Sequence, residues 1–204
     1  MVVLSYIFAS LAATISVQAG PIEKRGTVGN DVIVGLAAAV PSGTVGTVYT
    51  TYQPYLKIAN GCVPFPGVDA SGNTKYSWYM PKDEPSDGLG HRHEWEGVII
   101  WLSSATSTTA ANIVAVCPSA HGAWDCTTTG FTLSGTGPLI KYQSIWPVNH
   151  QMFQTTTKGG KQPLVAWESM STAVRSALES ADFGSATVPF KESTFAENLA
   201  KATF

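Results

Sequence analysis

The sequence predicts a mainly β protein, a β-sandwich with α-helices packed on its outside. Three observations carry this. Short runs rich in β-branched and aromatic residues recur along the chain, each closed by a turn-forming cluster. Glycine and proline, 19 and 12 of the 204 residues, are scattered through the chain rather than gathered into a linker. Helical spacing of apolar residues is clearest near the C-terminus, so strands come first and helices last.

The elements follow in order. Residues 1–19, MVVLSYIFASLAATISVQA, have no charged side chain and end with Val17 and Ala19 at the small-residue spacing of a cleavage site, which predicts a signal peptide and a secreted, extracellular protein. Ser5, Ser10 and Thr14 interrupt the stretch, and it lacks the flanking basic residues of a permanent anchor. Lys24-Arg25 then offers a dibasic trimming site, making 20–25 a candidate pro-segment and 26–204 a single domain. VIVGLAAAV, 32–40, reads as a helix segment, although a buried strand shares its pattern. Residues 45–56 begin as a strand that Pro54 confines to an edge or an element end. TKYSWYM at 74–80, EGVIIWLS at 96–103, NIVAVCP at 112–118, FTLSG at 131–135, PLIKYQSIW at 138–146 and PLVAWESM at 163–170 read as strands. STAVRSALESADFG, 171–184, is a helix with Gly184 as its stop. A capping box from Thr194 to Glu197 opens a last helix, whose narrow apolar face carries Phe195 and Leu199.

Composition excludes two classes. Charged residues are 13% and apolar ones 44%, so the chain is no disordered polyelectrolyte. The net charge is -2 with no block of Lys and Arg, which removes nucleic acid from the partners. Secretion makes the cysteines disulfide candidates. Cys117 and Cys126 flank a turn-rich loop and are paired, leaving Cys62 unpaired.

The chemistry gathers in PKDEPSDGLGHRHEWEGVIIWL, 81–102, where carboxylates and two histidines precede an apolar strand. If 94–102 is extended, its period of two puts Glu94 and Glu96 on one face with Val98 and Ile100, and Trp95, Ile99 and Trp101 on the other. Two adjacent carboxylates repel, so a proton, the Arg92 guanidinium or a cation must relieve them. Oxygen ligands suit a hard divalent cation, Ca2+ or Mg2+, and the turn-forming loop could return Asp83 to the same spot. The plain alternative is a solvated strand end paired with Arg92. His91-x-His93 weakly suggests a zinc hydrolase, but the further ligands that chemistry needs are missing. No Gly-x-Ser-x-Gly elbow or cysteine-nucleophile signature is present, so no catalytic residue is assigned.

Gly90-His91-Arg92-His93-Glu94-Trp95-Glu96 resembles the GHRHDWE signature of the necrosis- and ethylene-inducing peptide-like (NLP) family, also called NPP1 necrosis-inducing proteins. Tyr76-Ser-Trp-Tyr-Met-Pro-Lys-Asp83, Gly61-Cys-Val-Pro-Phe-Pro-Gly-Val-Asp69 and Ser144-Ile-Trp-Pro-Val-Asn-His150 stand in the family's order, and the resemblance runs from about Val32 to Phe204. It implies a secreted, non-enzymatic cytolysin and virulence factor with a β-sandwich similar to the actinoporins. Its implied target is the plant plasma membrane, reached through glycosyl inositol phosphorylceramide sphingolipids, with plant pattern-recognition receptors as further partners. Residue by residue, Asp83 and Glu94 match cavity carboxylates that ligate a divalent cation, with His91 and Glu96 beside them. His150, Arg92 and His93 match the surrounding polar shell, and Trp146 matches an aromatic on a membrane-facing loop.

Two departures bear on activity. Glu94 stands where the family carries Asp, which calcium tolerates better than magnesium. Roughly forty residues of the family pattern are absent after Asn73, which removes sheet material and leaves Cys62 without its usual partner. A non-lytic member that plants sense as an elicitor is therefore the second expectation.

Overall fold

The computed structural model describes residues 35–60, 65–68, 74–81, 90–145 and 149–204. Nine strands and three α-helices form among them. In chain order these are α1 (Gly43–Tyr52), β1 (Tyr55–Ile58), β2 (Phe65–Val68), β3 (Thr74–Met80), β4 (Glu94–Leu102), β5 (Ile113–Ala120), β6 (Ala123–Trp124), β7 (Leu133–Ser134), β8 (Gly137–Ile145), β9 (Asn149–Gln154), α2 (Thr172–Ser180) and α3 (Glu192–Lys201). β3 begins at the expected Thr74 and ends before Pro81, which can neither donate to a ladder nor continue the strand.

The main path of the sheet runs β1-β8-β9-β5-β4-β3-β2, with β6 on β5 and β7 on β8. All pairings between these nine strands are antiparallel except β1 on β8, where Tyr55 lies opposite Leu139. β1 and β2 occupy opposite ends of this path, yet only residues 59–64 join them. That link reaches at most about 25 Å, whereas seven strands laid flat at ~4.8 Å spacing would separate the two edges by about 29 Å. The sheet therefore curls, giving the mainly β, sandwich-like body with helices at its periphery.

The largest apolar cluster joins Val48, Tyr49 and Tyr52 of α1 to Tyr76, Trp78 and Met80 of β3, Val98 and Ile100 of β4, and Ile140, Tyr142 and Met152 of β8 and β9. Trp95 of β4 belongs to a second cluster with Trp167, Val188 and Phe190 beside α2. Ile99 and Trp101 belong to a third, with Ala115, Cys117, Leu199 and Ala202 beside α3. Alternation along β4 thus assigns Val98 and Ile100 to one cluster and the intervening residues to the others, as a period of two requires.

Several local expectations are corrected. Residues 43–52 are helical, because Val48, Tyr49 and Tyr52 share one face and all three are buried; tertiary burial overrides the β propensity of TVYTTY. Gly46 permits this helix to sit against Pro41, whose carbonyl oxygen would lie 1.8 Å from a Cβ. The strand expected here starts only after Pro54. The 32–40 helix is absent from its described part, 35–40, whose one ordered pairing is the parallel bridge of Ala39 to Val165. The strand expected at 163–170 is reduced to that bridge followed by a 3-10 turn at Trp167–Ser169. Continuous apolar runs carry no period, so neither end of this pairing was distinguishable locally. α2 stops at Ser180, before Gly184, and α3 starts at Glu192 rather than at a Thr194 cap. The Thr194 hydroxyl instead donates to the carbonyl of Val188, tying the helix to the preceding loop.

Candidate functional site

The site forms where β4 leaves the turn at residues 90–93. The Tyr79 hydroxyl is hydrogen-bonded to His93 Nδ1 at 2.5 Å, and the two rings stack with centroids 5.8 Å apart. Phe183 closes edge-on over His93 and Trp95. Burial is the main cause lowering the His93 pKa, with Arg92 and His91 adding to it and Asp182 opposing. His93 thus serves as a neutral peg that fastens the turn.

The consequence passes to His91. Its Nδ1 lies 2.6 Å from the carbonyl oxygen of His93, and a carbonyl can only accept, so Nδ1 carries a proton. In the neutral ring Nε2 then presents a lone pair, and it faces Glu94 Oε2 at 3.5 Å. Two acceptors in that position are reconciled by a proton on His91 or by a cation near both. The other carboxylate oxygen of Glu94 accepts from the backbone N–H of Trp95 at 2.7 Å, holding the group in place.

Glu96 is 5% exposed. It accepts a short hydrogen bond from Ser119 Oγ, which in turn accepts from the backbone N–H of Gly97 at 2.8 Å. Gly97 lets β4 lie close against β3: a Cβ there would lie 2.8 Å from both Ser77 Oγ and the Tyr76 carbonyl oxygen. His150 is buried on β9 and stacks on Tyr142, with centroids 5.5 Å apart and planes 11° from parallel. Burial, followed by the fields of His91 and His121, lowers its pKa to about 4.

His91, Glu94, Glu96 and His150 all line one cavity of about 590 Å3. Its remaining walls include Ser119, His121 and Trp124 from β5, β6 and their turn, the loop 185–189, and Thr194, Glu197, Asn198 and Lys201 from α3. Arg92 is exposed and outside this lining, and His93 points into the aromatic peg instead. His91 and His93 therefore do not converge as a zinc pair. Asp83, Trp146 and Cys62 lie outside the described residues.

A disulfide joins Cys117 to Cys126, closing the β5–β6 hairpin. Ser119, His121 and Trp124 hang on that hairpin. Its tip is His121-Gly122, with φ of 51° and 79°, the two positive values that a two-residue type I′ turn demands. These residues and the α3 wall escaped the sequence reading. His-Gly between two strand-like runs was the available signal for the turn, whereas the α3 contribution had none.

Among the described residues, no group of three or more His, Cys, Asp or Glu side chains is close enough to hold a metal ion. What the cavity offers a hard cation is its carboxylate oxygens, from Glu94, held by the Trp95 N–H, and from Glu96.

The fold that carries this cavity, a curled sheet with peripheral helices, recurs in solved structures, one of them described as a toxin fold for microbial attack and plant defense. A structure described as NLPPya in complex with glucosamine superposes with a TM-score of 0.76 at 37% identity, covering 87% of this chain and 99% of that one. The necrosis inducing protein (NPP1) family model matches residues 46–75 and 76–202. NLP effector protein 1 of Phytophthora capsici is 35% identical over 240 residues, covering 97% of this chain and 96% of the relative. Necrosis-inducing protein NPP1 of Phytophthora nicotianae is 32% identical over 243 residues, with full coverage of both chains. The chain belongs to the NPP1 necrosis-inducing protein family, the NLP toxins.

The comparison also locates what is missing. The two matched pieces meet between Lys75 and Tyr76, and the 243-position alignment takes in only 204 residues of this chain. The join falls inside β3, toward the Thr74 end that pairs with Ile100, while the cavity lies at the Met80 and Glu94 end.

Proposed function

We propose that this chain is a secreted, non-enzymatic cytolysin that docks on plant plasma membranes through cation-dependent binding of sphingolipid headgroups. The observation carrying this reading is the facing pair of His91 Nε2 and Glu94 Oε2 at the mouth of a 590 Å3 polar cavity. Glu94 and His91 would hold Ca2+ or Mg2+, with Asp83 as a further carboxylate and Glu96 as a buried neighbour fixed by Ser119. The cation would offer its open positions to headgroup hydroxyls. The relatives' names, effector and necrosis-inducing protein, support the toxin role, and solved relatives are described in complex with glucosamine and with mannosamine.

The test is dye release from vesicles containing glycosyl inositol phosphorylceramide. Release should require millimolar Ca2+ or Mg2+, vanish with chelator, and be lost in Glu94→Ala. Leakage that ignores cations, or its absence with a folded and cation-shifted protein, would overturn the reading.

A second reading is favoured by the join inside β3. Removing sheet material while sparing the cavity would give a non-lytic member that still binds headgroups and is sensed as an elicitor. Headgroup binding without leakage selects it.

A further inference from the structure

The cavity is larger than the proposed reading needs, and one of its walls has no role in it. A cation with six waters fills about 180 Å3 at ~30 Å3 per water, and a hexose displaces about as much. Of 590 Å3, room for a further ring remains. The unused wall is made by Trp124 of the hairpin, Thr187 of the loop, and Glu197, Asn198 and Lys201 of α3.

This wall is built rather than incidental. Asn198 Nδ2 donates to the carbonyl of Pro189 at 2.8 Å, while its Oδ1 accepts from Trp124 Nε1 at 3.4 Å, so the amide is fixed in orientation and position. The same carbonyl accepts a short bond from the fully buried Lys75 ammonium, which lies 4.9 Å from the Trp124 ring centroid and 5.6 Å from that of Phe195. One buried cation therefore steadies the loop, the indole and the helix together. On the rim, Lys201 Nζ meets Glu197 Oε1 at 2.7 Å, which uses one of three ammonium donors and one of several carboxylate lone pairs.

The chemistry selects its occupant. Thr187, Glu197, Asn198 and Lys201 supply both donors and acceptors on the same wall as a partly buried indole, the mixture that a polyhydroxylated ring requires. An anion would face Glu197 as well as Glu94 and Glu96, and an apolar group would strip water from all of them. We propose that the α3 side of the cavity is a second carbohydrate subsite, which takes a neutral sugar ring linked to the one bound beside His91 and Glu94. This deepens the proposed function and rests on it.

The experiment measures affinities of the intact protein, at saturating Ca2+, for glucosamine and for hexosyl-glucosamine disaccharides of 1→2, 1→3, 1→4 and 1→6 linkage. At least one disaccharide should bind about tenfold more tightly than glucosamine. Asn198→Ala and Lys201→Met should each erase that gain while keeping glucosamine affinity within about twofold. Lys201 is a surface side chain, so its variant tests the subsite even if Asn198→Ala loosens α3. Absence of any disaccharide gain, survival of the gain in Lys201→Met, or equal loss for both ligands would overturn the subsite alone. Failure of the wild-type protein to bind glucosamine would instead overturn the functional reading beneath it.

Discussion

Ser119→Ala isolates how the cavity holds its buried carboxylate. Ser119 Oγ donates to Glu96 and accepts from the Gly97 N–H at 2.8 Å, so the substitution removes one charge-assisted and one neutral hydrogen bond. The first kind contributes about 1.5–3 kcal/mol and the second about 1, so the variant should lose roughly 2.5–4 kcal/mol. Water entering the cavity would move the result toward the lower figure. For a domain of this length each kcal/mol lowers the midpoint by about 2–4 °C, giving a fall of roughly 5–15 °C. The assay is thermal unfolding by far-UV circular dichroism, with and without millimolar Ca2+, beside Ser119→Thr as the hydroxyl-preserving control. Where Ca2+ binds as proposed above, its stabilising shift should be smaller in Ser119→Ala, because a Glu96 released from Ser119 no longer holds its place in the cavity it shares with Glu94. A midpoint within 1 °C of wild type, together with an undiminished cation shift, would refute the reasoning.

Further outcomes follow from the same geometry. Reducing Cys117–Cys126, whose residues are 9 apart, should cost about 2.6 kcal/mol by loop-closure entropy, read as a lower midpoint on adding thiol. His150 has a folded pKa of about 4, below the ~6.5 of an unfolded histidine, so the unfolded chain takes the proton first. Its contribution is intact above about pH 7 and is lost as the pH falls from 6.5 towards 4, reaching roughly 3 kcal/mol; His150→Gln should flatten that part of the stability profile in denaturant titrations. His121→Asn keeps a residue suited to the type I′ turn and should leave the midpoint unchanged, while removing one field that depresses His150, whose NMR-measured pKa should rise. Lys75→Met should cost about 1–3 kcal/mol and speed amide exchange across residues 192–201, since Pro189 loses one of its two donors.

The legible parts of this molecule were those with a short period. β3 and β4 follow from alternation bounded by Pro81 and by the turn before Glu94, and the facing of Glu94 and Glu96 with Val98 and Ile100 is the same alternation carried to the strand mouth. What stayed hidden depends on contacts far apart in sequence. TVYTTY becomes a helix because Tyr49 and Tyr52 find a core made largely by β3, β4 and β8, and because the Tyr52 hydroxyl reaches the carbonyls of Ser107 and Thr109. Ser119 matters through a carboxylate 23 positions away, and Asn198 through an indole 74 positions away. The motif located the strand-end half of the cavity; the α3 half is a product of tertiary packing alone.

The parallel pairing of β1 with β8 also governs the order in which the molecule can assemble. Tyr55 waits for Leu139, so the first of the described strands has no strand partner until most of the described sheet has been made. Loop-closure entropy for that step must be met before any of its hydrogen bonds form, which makes β1 docking a late event in folding. Until then Tyr49 and Tyr52 of α1 lack the Ile140 and Tyr142 surface that completes their burial. A nascent chain released before β8 would thus display its aromatic helix and an unpaired strand together, a form suited to chaperone capture or aggregation.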